Sequence, residues 1–347
     1  MININTRIMN RKRILLGFVM MVLAASCDTI TNTEPTVERI TIFSSVDSYT
    51  SPDTRTVASE SSNGNQIIMK WGWYEEVGGF APTYDNACFA FHNNSDKPVS
   101  TADFISEEAD AVPTHVYYPY IQEATDMTNI PFTFFPDNKY EYLDESSVSG
   151  YDIKVSKKIE DYGDGSCSMT FEHMVALLRF TVDLSDFGLS ENDQINNVVI
   201  ECGAMPFSGE FSLNLKNKTF TRIPDAGTEG TVNELLIDLL QTPDVSDSYT
   251  FYVPVAPMML SKSEYKNDPD VFRWAFTINT NENWIWFYID IPADLDIEAG
   301  KCYDVPLTSD IIWTKGYYYD ENGDLLPGAY LGEQDPEGGG DTGEEDM

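Results

Sequence analysis

Basic residues, histidines and long apolar runs are all scarce in this chain. Its 347 residues hold 21 Lys and Arg against 57 Asp and Glu, a formal net charge of −36. So acidic a surface repels nucleic acid and anionic lipid, and neither is expected as a partner. Only three histidines are present, His92, His115 and His173. No H-E-x-x-H, G-x-S-x-G or phosphate-cradling glycine loop accompanies them. No catalytic residue, metal-ligand set or cofactor is therefore assigned. His173, in "TFEHMVALLRF" at the entry to a strong strand pattern, reads as a structural histidine hydrogen-bonded at a strand end rather than a general base. The many acids allow countless carboxylate pairs, but none stands out as a glycosidase dyad. In "DENGDL" Asp320, Asn322 and Asp324 have calcium-loop spacing, yet Leu325 stands where the loop glycine belongs and Leu331 where the glutamate belongs. A calcium hand fails, and Asn322-Gly323 reads as a hairpin turn.

Cysteine is sparse too. Cys88, Cys167, Cys202 and Cys302 are far apart, without C-x-x-C or regular spacing, which fits neither a small disulfide scaffold nor a zinc site. Whether they are thiols or bridges stays open. The fifth, Cys27, has a context of its own. The longest apolar run lies just before it, in "RKRILLGFVMMVLAAS", and is shorter than the ~20 residues of a membrane-spanning helix. A basic start, an apolar middle and small residues at the end mark 1–26 as a secretory signal peptide. "LAASC" resembles a bacterial lipoprotein box, which implies acylation (palmitate-type chains) of Cys27 and anchoring in outer-membrane lipid. The alternative is an ordinary signal peptide followed by an incidental cysteine. Met9, directly before the basic run, is an equally good start. Removal of 1–26 leaves 17 basic residues against 57 acidic ones.

What the chain does have is aromatic residues, 13% of the total, in Thr-rich, turn-rich stretches with no helix period. That is strand composition. Residues 27–36 read as a polar tether. Strands are expected at 37–46, 67–74, 87–93, 114–121 (with a Pro suited to a strand end), 130–135 and 151–159. The clearest is 174–184, where Ala176, Leu178, Phe180, Val182 and Leu184 share a face. "GLSENDQ" breaks the pattern, which places a boundary at 188/189. Beyond it come "INNVVIECG", a hairpin "GEFSLNLKNKTFTRI" turning at Lys-Asn-Lys, "NELLIDLL" as helix or strand, and strands within 249–260, 271–280, 284–291 and 297–313. The last strand ends near 315. The extension 316–347 carries ten acids and no base, and from about 333 it has no core-forming residue and is expected to be disordered. The expected fold class is all-β, as two tandem β-sandwich domains, 37–188 and 189–315, with few short helices. Trp284, Trp286 and Tyr288 share one strand face. They could stack on sugar, though such rings more often fill a core.

One family unites these pieces. The lipoprotein box, "TRT" (54–56), the strand at Trp71, "YYPY" (117–120), "MTFEHMVALLRFTVDL" (169–184), "YVPVAPM" (252–258) and "EAGKCYDVPL" (298–307) occur in an order that resembles the fimbrillin-like proteins of Bacteroidales. One departure is visible: many members follow the first Trp with Gly-Asp, and here the stretch is "WGWYEEVGGF". The resemblance implies transthyretin-like sandwich domains and a structural, tip or anchor subunit of cell-surface fimbriae that supports adhesion. It also implies export as a lipoprotein, trimming after an arginine, and assembly with other fimbrial subunits by strand exchange. A host or bacterial surface ligand is a further implied partner. The only basic residues between 28 and 69 are Arg39 and Arg55, so these are the candidate processing sites. Arg55, in a small polar stretch, is favoured on accessibility; the equal alternative is that both are plain surface residues. A cut there removes lipid, tether and strand 37–46 together, whereas a cut after Arg39 leaves that strand attached. The aromatic stretch 316–332 is the candidate donor strand. The competing reading is a surface lipoprotein that binds glycan or peptide and never polymerises.

Overall fold

The structure is a computed structural model that describes residues 39–49, 69–94, 97–142, 145–183, 194–223, 233–239, 248–265, 272–280, 283–291, 294–307, 315–320 and 325–331. Among them the expected all-β class holds: the regular elements are strands, joined by a few short 3₁₀ turns. The first nine strands are β1 (Ile40–Val46), β2 (Tyr74–Ala81), β3 (Tyr84–His92), β4 (Thr101–Ser106), β5 (His115–Tyr118), β6 (Ile130–Phe134), β7 (Lys139–Tyr142), β8 (Lys154–Asp161) and β9 (Ser166–His173). Seven of these close into a barrel in the order β1-β4-β3-β2-β5-β8-β9. Closure matters because an open sheet would leave two edges of unpaired amides and carbonyls. Here the strand that removes both edges is β1. It lies antiparallel to β4 and parallel to β9.

Thirteen strands follow. They are β10 (Ala176–Asp183), β11 (Ile195–Glu201), β12 (Gly209–Asn214), β13 (Thr219–Arg222), β14 (Glu234–Leu239), β15 (Ser248–Val255), β16 (Met258–Leu260) and β17 (Arg273–Thr280), then β18 (Asn283–Asp290), β19 (Leu295–Ile297), β20 (Cys302–Leu307), β21 (Lys315–Asp320) and β22 (Leu325–Leu331). A seven-stranded sheet runs β22-β21-β18-β17-β11-β14-β7, and smaller sheets run β15-β10-β20, β13-β12-β6 and β16-β19. The stretch "NELLIDLL" is thus the strand β14, with Leu235, Ile237 and Leu239 buried in alternation. On β10 the face of Ala176, Leu178, Phe180 and Val182 is buried as its period of two requires, while Arg179 on the other face pairs with Asp304 of β20.

Hydrogen-bonded pairs cross the boundary expected at 188/189. β6 pairs with β12, β7 with β14, and β10 with both β15 and β20. A second difference concerns 67–74. Within its described part, Trp71 makes only an isolated bridge to Val99, and the strand lies further on, at β2. Its Gly78 and Gly79 look like loop in sequence, but both stand where rings press on the backbone. A Cβ on Gly78 would sit 2.2 Å from the Tyr117 ring, and one on Gly79 2.6 Å from the Phe89 ring. Close approach, not a turn, explains these glycines.

The barrel has its own core, in which Ile40, Ile42, Val77, Phe89, Phe104 and Phe171 surround Trp71. Trp71 takes edge-on contacts from Phe104, Tyr118 and Phe171 at 5.0 to 5.5 Å between ring centroids. A larger core is built on the remaining strands and includes Tyr49, Phe134, Phe180, Phe211 and Phe276.

Candidate functional site: the groove beneath the first strand

The alternation of "ITIFSSV" decides how β1 is held. Ile40, Ile42 and Ser44 point inward and are at most 4% exposed, while Phe43 on the outer face is 42% exposed. Six residue pairs tie β1 to β4, from Ile40–Ser106 to Ser45–Thr101, and six tie it to β9, from Thr41–Ser166 to Val46–Phe171. Ser44, polar and buried, is satisfied because its Oγ donates to the carbonyl of Ala102 at 3.0 Å. Beneath the two isoleucines lie Trp71, Phe104 and Phe171. Removing β1 would therefore open an apolar groove and unpair one edge each of β4 and β9.

The far end of the groove is of another character. After Val46 the chain runs through Asp47 and Ser48 to Tyr49, which is fully buried. Its hydroxyl donates to Asp152 Oδ1 at 2.6 Å, and its ring stacks on His173 with centroids 3.8 Å apart. Asp152 is itself fully buried, and its other partners are His173 Nδ1 at 2.6 Å and Lys154 Nζ at 2.7 Å. The opposite nitrogen of His173, Nε2, meets the backbone carbonyl of Asp47 at 2.8 Å. Lys154 lies over the Tyr118 ring at 4.1 Å and the Trp71 ring at 5.3 Å, so its charge is met by a carboxylate and two π faces. Burial alone would push the Asp152 carboxyl up, but His173 and Lys154 beside it outweigh that and hold it well below the usual carboxylate range. Burial, then the Asp152 charge, pushes the Tyr49 phenol well above its usual value. It stays a hydrogen-bond donor. A cleft of about 550 Å³ lies against this end, lined by Asp47, Ser48, Glu172, His173, Lys218 and Lys301 among others.

Chemically, the cluster holds a chain in place. Both nitrogens of His173 are taken up by acceptors, so neither is free to act as a general base. The reading of His173 as a hydrogen-bonded histidine at a strand end matches its place as the last residue of β9. His92 ends β3 and His115 begins β5, each on a different strand. Arg39 sits just ahead of β1, exposed and paired with Glu107 at 3.0 Å. Cys27 and Arg55 lie outside the described residues. So does the turn at Asn322-Gly323, and so does the side chain of Trp284. Trp286 and Tyr288 are half-buried with ring centroids 5.4 Å apart, and the Arg273 guanidinium covers the Tyr288 ring at 4.3 Å. That face is already occupied by a cation. Sequence reasoning passed over Tyr49, Asp152 and Lys154. No local pattern marked them: in "YDIKVS" the alternation sets Ile153 and Val155 apart from Asp152 and Lys154, and all four are buried at the entry to β8.

Comparison with known proteins places this geometry in context. No curated protein matches the chain. Among solved structures, it is similar to a "putative cell adhesion protein" from Bacteroides ovatus, at 14% identity over 83% of this chain and 98% of the other, with a TM-score of 0.49. A second protein so described, from Bacteroides uniformis, matches at 15% identity over 83% of this chain and 98% of the other, with a TM-score of 0.45. A fimbrial protein from Bacteroides vulgatus matches at 14% identity over 81% of this chain and 98% of the other, with a TM-score of 0.33. The family model described as fimbrillin-like matches residues 54–316, three quarters of the chain. The chain belongs to the fimbrillin-like family.

Proposed function

We propose that this protein is a structural or accessory subunit of cell-surface fimbriae, a tip or anchor included among these roles, and that it serves adhesion rather than catalysis. It is exported as a lipoprotein acylated at Cys27 and anchored, at least transiently, in the outer membrane. Assembly proceeds by strand exchange with other fimbrial subunits. The observation that carries this reading is the position of β1: one short strand near the start of the chain closes the barrel on two sides at once. Cleavage after Arg55 would leave 27–55, β1 included, held by non-covalent contacts alone. A partner's strand could then take over the main-chain hydrogen bonds, with alternate side chains setting register. Cleavage after Arg39 would leave β1 attached and the groove filled, whereas Arg55, preferred on accessibility, is the cut that frees β1. The hairpin β21–β22 lies at one end of the seven-stranded sheet, all but its first two residues beyond the end of the family match at 316, and it is this chain's own candidate donor.

The test is the intact mass and N-terminal sequence of protein sheared from the cell surface. An N-terminus at Thr56 without lipid is the expected result for an assembled subunit. An acylated Cys27 on every molecule would overturn trimming, and would leave an anchor or a non-polymerising surface lipoprotein that binds glycan or peptide.

A further inference from the structure

The groove beneath β1 is apolar for most of its length and ionic at its end. Any strand that replaces β1 must therefore satisfy two environments. Over the first part, residues at the positions of Ile40 and Ile42 meet Trp71, Phe104 and Phe171. At the end, loss of 47–49 would strip Asp152 of the Tyr49 hydroxyl, strip His173 of its stacked ring, and leave its Nε2 without the Asp47 carbonyl. Asp152 is 0% and His173 4% exposed with β1 in place. A replacement strand that covered them without offering partners would leave buried polar groups unmet, and rejection of such strands is how a site of this kind discriminates.

We propose that the Asp152–His173–Lys154 cluster is a recognition site for the incoming strand, selecting a tyrosine nine residues after the first inward apolar side chain. The proposal rests on the strand-exchange reading above. It also bears on the identity of the partner. The C-terminal stretch 308–331 of this chain holds four tyrosines, Tyr317, Tyr318, Tyr319 and Tyr330. Read in the direction of β1, the residues nine places before them are Thr308, Ser309, Asp310 and Glu321, all polar. None reproduces the Ile40-to-Tyr49 register. The occupant that fits is therefore the strand of a non-identical subunit, patterned apolar-x-apolar-x-small-x-apolar with tyrosine three residues on. Outside β1 itself, the C-terminal candidate donor of a second copy of this chain lacks that pattern.

Peptides test this without disturbing the fold. A specific protease site replaces residues 51–56 in the full chain, which is cut after folding. Fluorescent peptides of sequence 39–49 then compete for the groove, and anisotropy reads their affinity. The native peptide is expected to enter, and Ile42→Asp to abolish entry. Tyr49→Phe should bind about 10- to 100-fold more weakly, the value of a hydrogen bond to a buried carboxylate, and Tyr49→Leu more weakly still. A peptide of sequence 308–331 should bind at least as weakly as Tyr49→Phe. If the native peptide never enters, or Ile42→Asp enters equally well, strand exchange at this groove is refuted. If Ile42 matters but Tyr49→Phe and Tyr49→Leu bind like the native peptide, the groove stands and the recognition site falls. If 308–331 binds as tightly as 39–49, the occupant is a second copy of this chain.

Discussion

Asp152→Asn is the substitution that asks most of this structure. The side chain keeps its shape and loses its charge. In the native protein the carboxylate is fully buried, takes hydrogen bonds on Oδ1 from Tyr49 and His173 at 2.6 Å each, and pairs through Oδ2 with the Lys154 ammonium at 2.7 Å. The asparagine oxygen can still accept from Tyr49, but the Lys154 ammonium, 4% exposed, then lies buried without a counter-charge. Removing one partner of a buried pair costs about 3–5 kcal/mol, because the remaining charge has nowhere to go. For a domain of this size that corresponds to a fall in Tm of roughly 6–20 °C. The assay is urea unfolding at pH 7, followed by tryptophan fluorescence. Asp152→Asn combined with Lys154→Met removes both charges and should recover a large part of the loss. The effect must also depend on pH in one direction. Because His173 and Lys154 depress the Asp152 carboxyl below its ordinary range despite burial, the folded state binds its proton more weakly than the unfolded state. The stabilisation is therefore complete above the unfolded value of ~3.9 and drains away as pH falls below it. The gap between native and Asp152→Asn proteins should be widest near neutrality and narrow below pH ~4. A loss under about 1 kcal/mol at pH 7, or a gap that widens in acid, would refute the reasoning.

Three further outcomes follow from other parts of the barrel. Gly78→Ala should cost about 1–3 kcal/mol by overpacking, since Tyr117, whose ring the new methyl would meet, is fixed by a hydrogen bond from its hydroxyl to Asn86 Oδ1 at 2.9 Å; thermal unfolding reads the change. Trp71→Ala should cost about 3–5 kcal/mol and Trp73→Ala within about 0.5 kcal/mol, because Trp71 is 1% and Trp73 73% exposed; equal losses in urea would contradict the packing. The Cys88 thiol, pushed up to about 12 by burial first and the Glu76 charge second, should react with iodoacetamide at pH 8 about a thousandfold more slowly than a free cysteine, as timed mass spectrometry would show.

How much of this was legible in the sequence depends on whether a strand's two faces differ. β1 and β10 each present one face with a period of two, Ile40 and Ile42 on β1 and Ala176, Leu178, Phe180 and Val182 on β10, so both strands are legible in "ITIFSSV" and "ALLRFTVD" although Phe43, Ser44 and Leu177 break strict alternation. β2 does not alternate. It carries Glu75, Glu76 and two glycines, and its burial comes from rings supplied by Phe89 and Tyr117, which no local pattern reveals. The same holds for the domain boundary. Residues 184–194 look like a break in sequence, but the partners of β6, β7 and β10 lie beyond it, and strand pairing over such separations is a property of the whole chain. The ionic cluster was hidden for a third reason. Buried charges read as surface charges until their partners are known, and Asp152 finds Tyr49 103 residues away.

The single covalent connection after β1 gives the reason a cut near residue 55 would act as a switch. Between Tyr49, held at the ionic cluster, and Trp71, held in the barrel core, lie 21 residues that tether β1 to the rest of the barrel. While the tether is intact, β1 competes for its groove at an effective concentration on the order of millimolar. A strand from another molecule must outcompete that before it can enter. Cutting the tether removes no contact between β1 and β4 or β9, so the barrel is not weakened at the moment of cleavage. What changes is that β1, once it leaves, is diluted into solution and no longer returns at that concentration. A strand with a longer apolar repeat, or one held close by its own subunit, then wins by mass action. The six residue pairs on each side keep the protein folded and its edges covered until that moment. Without them, the open edges of β4 and β9 would pair with whatever strand came first. On this reading the first strand serves as a temporary occupant: tight enough to fold the subunit, and dependent on one covalent connection for its advantage over the strand that succeeds it.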